Sequence, residues 1–245
     1  MGEFNIKIAG CTAAVSSLFA STKDYCGRYL TEEAPQCHIA VTREDLEFEQ
    51  EALRQEALEE GIRIRKFTDP FLERTAIQRK IADHLFERDV LMTHGSTVAV
   101  DGKAYLFTAK CGTGKSTHTR LWRQVFGDRA VMINDDKPFL KILETDVLAC
   151  GSPWSGKHGL DSNLTVPLQG ICILDRGKEN RIAKIPPEEA LPMLLHQSYC
   201  PLDPEKYVRF ETLVKHLAER TYLWHMYCNM DAAAAEISPS AMSDI

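Results

Sequence analysis

At 245 residues, 44% of them hydrophobic and 26% charged, the chain is long enough to bury a sizeable core and too apolar to be disordered throughout. Its formal net charge of −6 argues against the basic surface that nucleic acids and anionic membranes attract. No stretch approaches the roughly 20 apolar residues of a membrane-spanning helix. Residues 1–10 lack the basic and apolar blocks of a secretion signal. We therefore expect a cytoplasmic protein that binds neither nucleic acid nor membrane.

The eight cysteines are scattered along the chain without a C-x-x-C pair. A chain of this length does not need disulfides to fold, so we expect reduced thiols. The cysteines and histidines also lack the spacing of a zinc site, and the adjacent Cys37 and His38 are weak evidence for one.

Hydrophobic periodicity predicts an α/β protein. The first third is expected to contain strands at 4–9 and 38–42 and helices at 17–30, 43–61 and 73–88. The middle is expected to contain strands at 90–92, 97–100, 104–108 and 130–133, a hairpin turn at Asp101-Gly102 and a helix at 115–126. The last third is expected to contain a hairpin of strands 170–174 and 181–185, helices at 187–198 and 204–219, and a strand at 221–227. We expect residues 1–88 to form an N-terminal α/β subdomain and residues 89–245 a second domain.

The strongest functional signal is a glycine-rich loop between strand 104–108 and helix 115–126. Residues 109–116, AKCGTGKS, match the phosphate-binding pattern G-x-x-x-x-G-K-[ST] except at the first position, where Ala109 replaces glycine. In such a loop, backbone N–H groups and the positive end of a helix converge on phosphate. Lys115 is expected to reach the β- and γ-phosphates, and Ser116 to bind Mg²⁺. The expected nucleotide-binding residues are Cys111, Gly112, Thr113, Gly114, Lys115, Ser116 and Thr117.

Two adjacent carboxylates, Asp135 and Asp136, follow the predicted strand 130–133. Phosphoryl transfer to a hydroxyl needs a carboxylate for the metal ion and a group that accepts the proton. Adjacent residues of an extended strand point to opposite faces, so both can serve one site only if the backbone turns there, which Lys137-Pro138 favours. An ordinary solvated turn is the alternative.

The order of these motifs resembles that of HPr kinase/phosphorylase and is similar to that of ATP-dependent phosphoenolpyruvate carboxykinase. The resemblance rests on Thr93-His94-Gly95-Ser96, the Asp101-Gly102 hairpin, the phosphate loop and the aspartate pair. It implies an α/β fold with a mixed sheet flanked by helices, of the P-loop type that these two families share. On this basis we expect residues 89–245 to be a P-loop kinase-like domain.

The resemblance also implies roles for individual residues. His94 would lie beside the transferred phosphate, and Lys115 and Ser116 would hold nucleotide and metal. Asp136 would bind the metal ion and Asp135 would accept the proton, although little in the sequence separates the two. In the carboxykinases a histidine at the position of His94 is itself a metal ligand, so direct coordination is its alternative role.

A second loop, GSPWSGK at residues 151–157, contains Trp154 and Lys157. Both side chains are costly to expose without use, so they are weaker candidates for substrate contact. Arg176 and Asn180, at the predicted turn 175–180, are candidates of the same kind. A plain turn with a packed tryptophan, and ordinary surface residues of a hairpin, are the alternatives.

Together these features predict a Mg²⁺-dependent kinase that transfers the γ-phosphoryl group of ATP to a hydroxyl of a small molecule, peptide or protein. HPr itself is a poor match as substrate, because loop 151–157 stands where that family has a glycine- and arginine-rich segment. A carboxykinase-like lyase is one alternative, although the chain is short for that family and its oxaloacetate-binding arginines have no clear counterpart. A nucleotide-sensing module without turnover is the other. The phosphate acceptor and the formation of a homo-oligomer stay open.

Overall fold

The computed structural model describes residues 2–59, 61, 63–229 and 233–243. The chain divides into two compact units, Met1–Leu85 and Phe86–Ile245. The sequence placed the boundary after residue 88. In the described part of the chain, no helix is long and apolar enough to cross a lipid bilayer.

The first unit contains a three-stranded sheet in the order β1-β2-β3. Strands β1 and β2 are antiparallel, whereas β2 and β3 are parallel. The elements are β1 Gly2–Ile8, β2 Cys11–Ser17, α1 Ser21–Tyr25, a 3₁₀ turn Gly27–Tyr29, β3 Cys37–Ala40, α2 Arg43–Glu59 and α3 Asp69–Phe86.

The predicted helix 17–30 is confirmed in part, because Ser21–Tyr25 is α-helical and Gly27–Tyr29 is a 3₁₀ turn. The strand β2 that precedes it was not predicted. Ala9 and Gly10 have φ angles of 51° and 81° and form a tight turn that folds β2 back on β1. Residues 11–17 are consequently a buried strand, and only Ser21–Tyr25 is α-helical. The small residues of β2 carry little periodicity, so the pairing with β1 decides their conformation.

The second unit contains a nine-stranded mixed sheet. Seven of its strands lie side by side in the order β4-β8-β9-β10-β6-β5-β7. Strand β12 pairs with β10 and also with β11. The strands are β4 Val90–Met92, β5 Ser96–Val100, β6 Lys103–Thr108, β7 Ala130–Asn134, β8 Phe139–Ile142, β9 Val147–Cys150, β10 Thr165–Arg176, β11 Arg181–Lys184 and β12 Tyr222–Cys228. The helices are α4 Lys115–Phe126, α5 Pro187–Gln197, α6 Tyr207–Glu219 and α7 Ala233–Ser243.

Helices cover both faces of the central parallel strands β6, β10 and β12. Side chains alternate along each strand, so neighbouring residues enter different cores. Leu106 and Ile171 pack in a core with α5 and α6. Phe107 and Cys172 pack in another core with α4 and α7. The expected mixed sheet flanked by helices is therefore confirmed.

The predicted hairpin of residues 170–185 is wrong, because β12 lies between its two strands. Ile173 of β10 pairs in parallel register with His225 of β12, and Ala183 of β11 pairs with the same residue from the other side. The segment 177–180 is a turn as expected, but a strand from about 40 residues later enters between the two arms. The sequence did not predict β8, β9 and α7.

The β5-β6 hairpin is confirmed. Asp101 and Gly102 have φ angles of 51° and 80°, and Val100 pairs with Lys103 across them. Positive φ at both central residues matches the twist of the flanking strands. Strand β6 then leads directly to the glycine-rich loop.

Candidate functional site

The glycine-rich loop connects β6 to α4, as the sequence predicted. Gly112 and Gly114 have φ angles of 73° and 121°, which side chains with a Cβ rarely adopt. A Cβ on either glycine would meet no protein atom within 4 Å, so backbone conformation rather than crowding requires glycine here. The space beside the loop is consequently open to a ligand.

Ala109, which replaces the first glycine of the motif, fits the loop without backbone strain. Among the described non-glycine residues, positive φ occurs at Ala9, Asp89 and Asp101, so Ala109 has an ordinary φ. Its methyl group is buried in the core beneath α4. Its carbonyl oxygen accepts a hydrogen bond of 3.0 Å from Lys115 Nζ. The departure from the motif therefore leaves the loop intact.

The N-terminus of α4 presents backbone donors beside this loop. The His118 N–H donates to Gly114 O at 2.9 Å and closes the first turn. The N–H groups of the three preceding residues lie before the first intrahelical bond and have no acceptor within the helix. Donors in this position, together with the positive end of the helix, bind phosphate groups.

Lys115 is buried within the site, with 9% of its surface exposed. Burial lowers the pKa of Lys115, whereas the nearby carboxylates of Asp136 and Asp135 act to raise it. The structure thus brings the lysine of the phosphate loop and the acidic pair together, although 19 residues separate Lys115 from Asn134. Such a cation, enclosed and close to carboxylates, is suited to meet a metal-bound phosphate.

The backbone turn that the acidic pair needs is made by Asn134. Its Oδ1 accepts hydrogen bonds from the N–H groups of Asp136 and Lys137, at 2.8 and 2.6 Å. Its Nδ2 donates to Ser152 O and Oγ, at 2.8 and 3.0 Å. Because an asparagine side chain can replace backbone acceptors in a turn, strand β7 ends here. The role of Asn134 depends on Ser152, which lies 18 positions later in the chain.

Asp135 belongs to a buried hydrogen-bond chain that sequence reasoning missed. Its Oδ1 accepts a bond of 2.6 Å from Ser96 Oγ on β5. Ser96 Oγ lies 2.7 Å from Thr119 Oγ1, in the second turn of α4. The chain links the acidic pair to the helix that carries Lys115. The position of Ser96 in Thr93-His94-Gly95-Ser96 was the available signal.

Asp136 is the more accessible carboxylate, with 33% of its side chain exposed, and its Oδ1 lies 3.5 Å from His94 Nε2. Burial, together with the positive charges of Lys137 and Lys115, lowers the pKa of His94 to about 3. Burial also raises the pKa of Asp136, against the opposing effect of the two lysines. His94 is therefore neutral at physiological pH and can act as a hydrogen-bonding group or a metal ligand.

Loop 151–157 supports the turn at the acidic pair. Trp154 is buried against Phe139, with ring centroids 6.3 Å apart, and its carbonyl oxygen accepts a bond of 3.1 Å from the Lys137 N–H. A Cβ on Gly156 would lie 3.3 Å from Asp136 Cβ. The buried indole agrees with the alternative interpretation of Trp154 as a packed tryptophan. Lys157, in contrast, is exposed and lies on the part of the loop next to Asp136.

The two residues expected at the turn after β10 have different surroundings. Arg176 Nη2 donates to Gly112 O at 2.6 Å, so the guanidinium lies at the phosphate loop. Asn180 Oδ1 accepts a bond of 2.9 Å from the Asn229 N–H and joins the turn to the end of β12. Arg176 is thus positioned for a nucleotide, and Asn180 for the support of the turn.

The residues present fit a magnesium ion and a nucleotide triphosphate. Mg²⁺ prefers oxygen ligands and usually keeps several waters and phosphate oxygens. Two carboxylates and the Ser116 hydroxyl at the start of α4 offer such oxygens. The open face of Gly112 and Gly114 and the buried Lys115 suit the phosphates. The arrangement can bind a metal–nucleotide complex next to a group that accepts a proton.

No protein-family model matches the sequence, and no curated protein is significantly similar to it. The solved structure of the HPr(Ser) kinase/phosphatase from Coxiella burnetii is similar to this chain with 12% sequence identity and a TM-score of 0.34. The match covers 62% of this chain and 94% of that one. Because a TM-score this low does not identify a shared fold, the function has to be argued from the site itself.

Proposed function

We propose that this protein is an ATP-dependent kinase with a P-loop fold of the HPr kinase and phosphoenolpyruvate carboxykinase type. It binds MgATP at the loop 109–117 and transfers the γ-phosphoryl group to a hydroxyl of a small molecule, peptide or protein. One observation carries the proposal. Hydrogen bonds join Asp135 to Ser96 and Ser96 to Thr119 on α4, the helix that begins with Lys115, so the phosphate site and the acidic pair form one centre.

Catalysis by such a centre is mainly positioning and charge stabilisation. Lys115 Nζ donates to Ala109 O, and a bound γ-phosphate would replace that acceptor. The first-turn N–H groups of α4 hold the phosphates. The neutral His94 donates to the transferred group or binds the metal ion. Ser116 and one aspartate would hold Mg²⁺, which would supply positive charge to the phosphate oxygens.

The two aspartates divide metal binding and proton acceptance. From the sequence, Asp135 was the expected proton acceptor and Asp136 the metal ligand. The greater exposure of Asp136 and its raised pKa favour the exchanged roles, since a proton acceptor must reach the substrate and be basic enough to take its proton. The bond from Ser96 to Asp135 suits a metal ligand that must keep its orientation.

The alternatives differ in what happens to bound nucleotide. A sensor would bind MgATP without turnover, whereas a kinase deprived of its acceptor still hydrolyses ATP slowly with water. A carboxykinase-like lyase would need a site for a dicarboxylate. Arg176 lies at the glycine-rich loop, where its guanidinium would meet the phosphates of a nucleotide rather than a dicarboxylate.

Calorimetric titration with ATP, ADP and a non-hydrolysable ATP analogue, with and without Mg²⁺, tests the proposal. We expect Mg²⁺-dependent binding of the triphosphates that Lys115→Ala abolishes. The control is Lys103→Ala, at the exposed start of β6, the strand that leads to the glycine-rich loop. A kinase should release phosphate slowly from ATP but not from the non-hydrolysable analogue, whereas a sensor should release none from either. An intact protein that binds none of these nucleotides overturns the proposal.

A further inference from the structure

A second cluster of chemically active side chains lies in the first unit. Cys11 on β2, Cys37 on β3 and His84 on α3 each offer one ligand atom, and these atoms lie within 4.8 Å of one another. The three residues line a cavity of about 10 Å³, which is the size of one water molecule or ion. The cluster is not visible in the sequence, because its consecutive members are 26 and 47 positions apart.

The fold brings the three residues to one face of the sheet. Cys37 pairs with Ala13, and Cys11 lies two residues from Ala13 on the same strand, so both thiols project to the same side. His84 lies near the C-terminal end of α3, and this helix lines the same cavity. His38, although adjacent to Cys37, points to the opposite side and is exposed.

We propose that Cys11, Cys37 and His84 form a binding site for a thiophilic transition-metal ion of the Zn²⁺ class, with one coordination position left for water or an external ligand. Two sulfurs and one imidazole nitrogen are a donor set that Zn²⁺ prefers. Tetrahedral coordination places such donor atoms about 3.5–3.8 Å apart, so ligand atoms that lie within 4.8 Å of one another need to approach by about 1.3 Å at most.

The charge balance suits a site with one buried ligand, Cys11, and two half-buried ligands, Cys37 and His84. Each thiol releases one proton to solvent as its sulfur binds the metal, and two thiolates then neutralise a divalent ion. A neutral complex avoids the cost of an unpaired charge among the apolar side chains of Ile6, Ile8 and Leu85. The bound ion would also connect α3 to two strands of the sheet, so metal should stabilise the first unit.

Titration of the reduced, chelator-treated full chain with Co²⁺ and Zn²⁺ tests the site. We expect one Co²⁺ per chain with a thiolate-to-cobalt charge-transfer band and the visible absorption of tetrahedral coordination, both removed by Zn²⁺. Loss of an outer-sphere partner weakens metal binding roughly 10–100-fold. Loss of a direct ligand should weaken Zn²⁺ binding by more than this. We expect that result for each of three variants, Cys11→Ser, Cys37→Ser and His84→Asn. Circular dichroism shows whether each variant is folded, and His84→Asn tests the site without altering a strand.

Two matched variants should leave the binding unchanged. His38→Asn removes the histidine next to Cys37 on the exposed side, and Cys26→Ala removes a buried thiol of the same unit that lies outside the cluster. Equal Zn²⁺ binding by the wild type and the three ligand variants overturns the proposal, because the ion then binds elsewhere. Two other results overturn the proposal as well. One is a cobalt complex without a charge-transfer band. The other is a Cys11–Cys37 disulfide in a protein that takes up no metal after the disulfide is reduced.

Discussion

Asp135 and Asp136 are adjacent in the chain, but their surroundings assign them different chemistry. Asp135 is buried and bonded to Ser96, whereas Asp136 is half-buried and close to His94. Replacement of a proton acceptor should lower turnover about 10²–10⁴-fold and spare MgATP binding. Replacement of a metal ligand should remove the Mg²⁺ dependence of binding.

We therefore predict that Asp136→Asn binds MgATP but loses phosphate release, and that Asp135→Asn binds ATP with little response to Mg²⁺. Calorimetry and phosphate-release assays on the two variants measure this. The opposite pattern would restore the roles expected from the sequence. Unchanged turnover in both variants would contradict an enzymatic role for the pair.

The Ser96 hydroxyl is predicted to hold Asp135 in place. Ser96→Ala leaves Asp135 and Thr119 without their shared partner, which should cost about 1–3 kcal/mol of unfolding free energy and lower turnover about tenfold. Denaturant unfolding and phosphate release measure the two effects. Thr97→Val is the control, because the buried Thr97 hydroxyl makes no hydrogen bond within the described residues. A Ser96→Ala protein as active and stable as Thr97→Val would exclude this role.

At the scale of elements, helix α4 begins after one glycine and ends before another, and the two glycines have different roles. Gly114 at its start has φ 121°, and Gly127 at its end has φ 54° with ψ −129°. Both conformations are costly for alanine, by about 1–3 kcal/mol each. Only Gly114 lies in the phosphate loop.

We predict that Gly114→Ala and Gly127→Ala lower stability to a similar extent, and that Gly114→Ala alone weakens MgATP binding. Thermal unfolding and nucleotide titration of both variants check this. Equal loss of binding in the two would mean that the helix, rather than the loop conformation, determines affinity.

Elements defined by local chemistry were predictable, and those defined by distant partners were not. The Asp101-Gly102 turn and helix Lys115–Phe126 agree with the sequence-based bounds, since turn residues and helical periodicity act over a few positions. Strand β12 separates β10 from β11 because its apolar side chains, such as Trp224 and Met226, complete the core under α4 and α7. Turn chemistry carries no information about such an intervening strand.

At the scale of the whole molecule, a buried neutral histidine couples stability to pH. His118 is enclosed beneath α7, with Nε2 2.9 Å from Ser238 Oγ, and burial lowers the pKa of His118 to about 4. In the unfolded chain its pKa is near 6.5. Between these values the unfolded state binds a proton that the folded state does not, so stability falls as the pH is lowered from about 6.5 to about 4.

We predict that His118 contributes roughly 3 kcal/mol to this fall, with no further contribution below pH 4, where both states are protonated. Denaturant unfolding of the wild type and His118→Gln, across this range and without Mg²⁺ or nucleotide, measures it. His216→Gln, on the distant helix α6, serves as the control. The same slope in all three proteins would show that His118 is not the group responsible.

By itself, the sequence determined the phosphate loop, the helix after it, the hairpin before it and the acidic pair, because each depends on residue types within a short segment. The tertiary structure decided which residues meet. It placed Ser152 against Asn134 and Ser96 against Asp135, and it collected Cys11, Cys37 and His84 around one cavity. Periodicity and turn chemistry encode local conformation, whereas these contacts arise from strand order and helix packing between segments far apart in the chain.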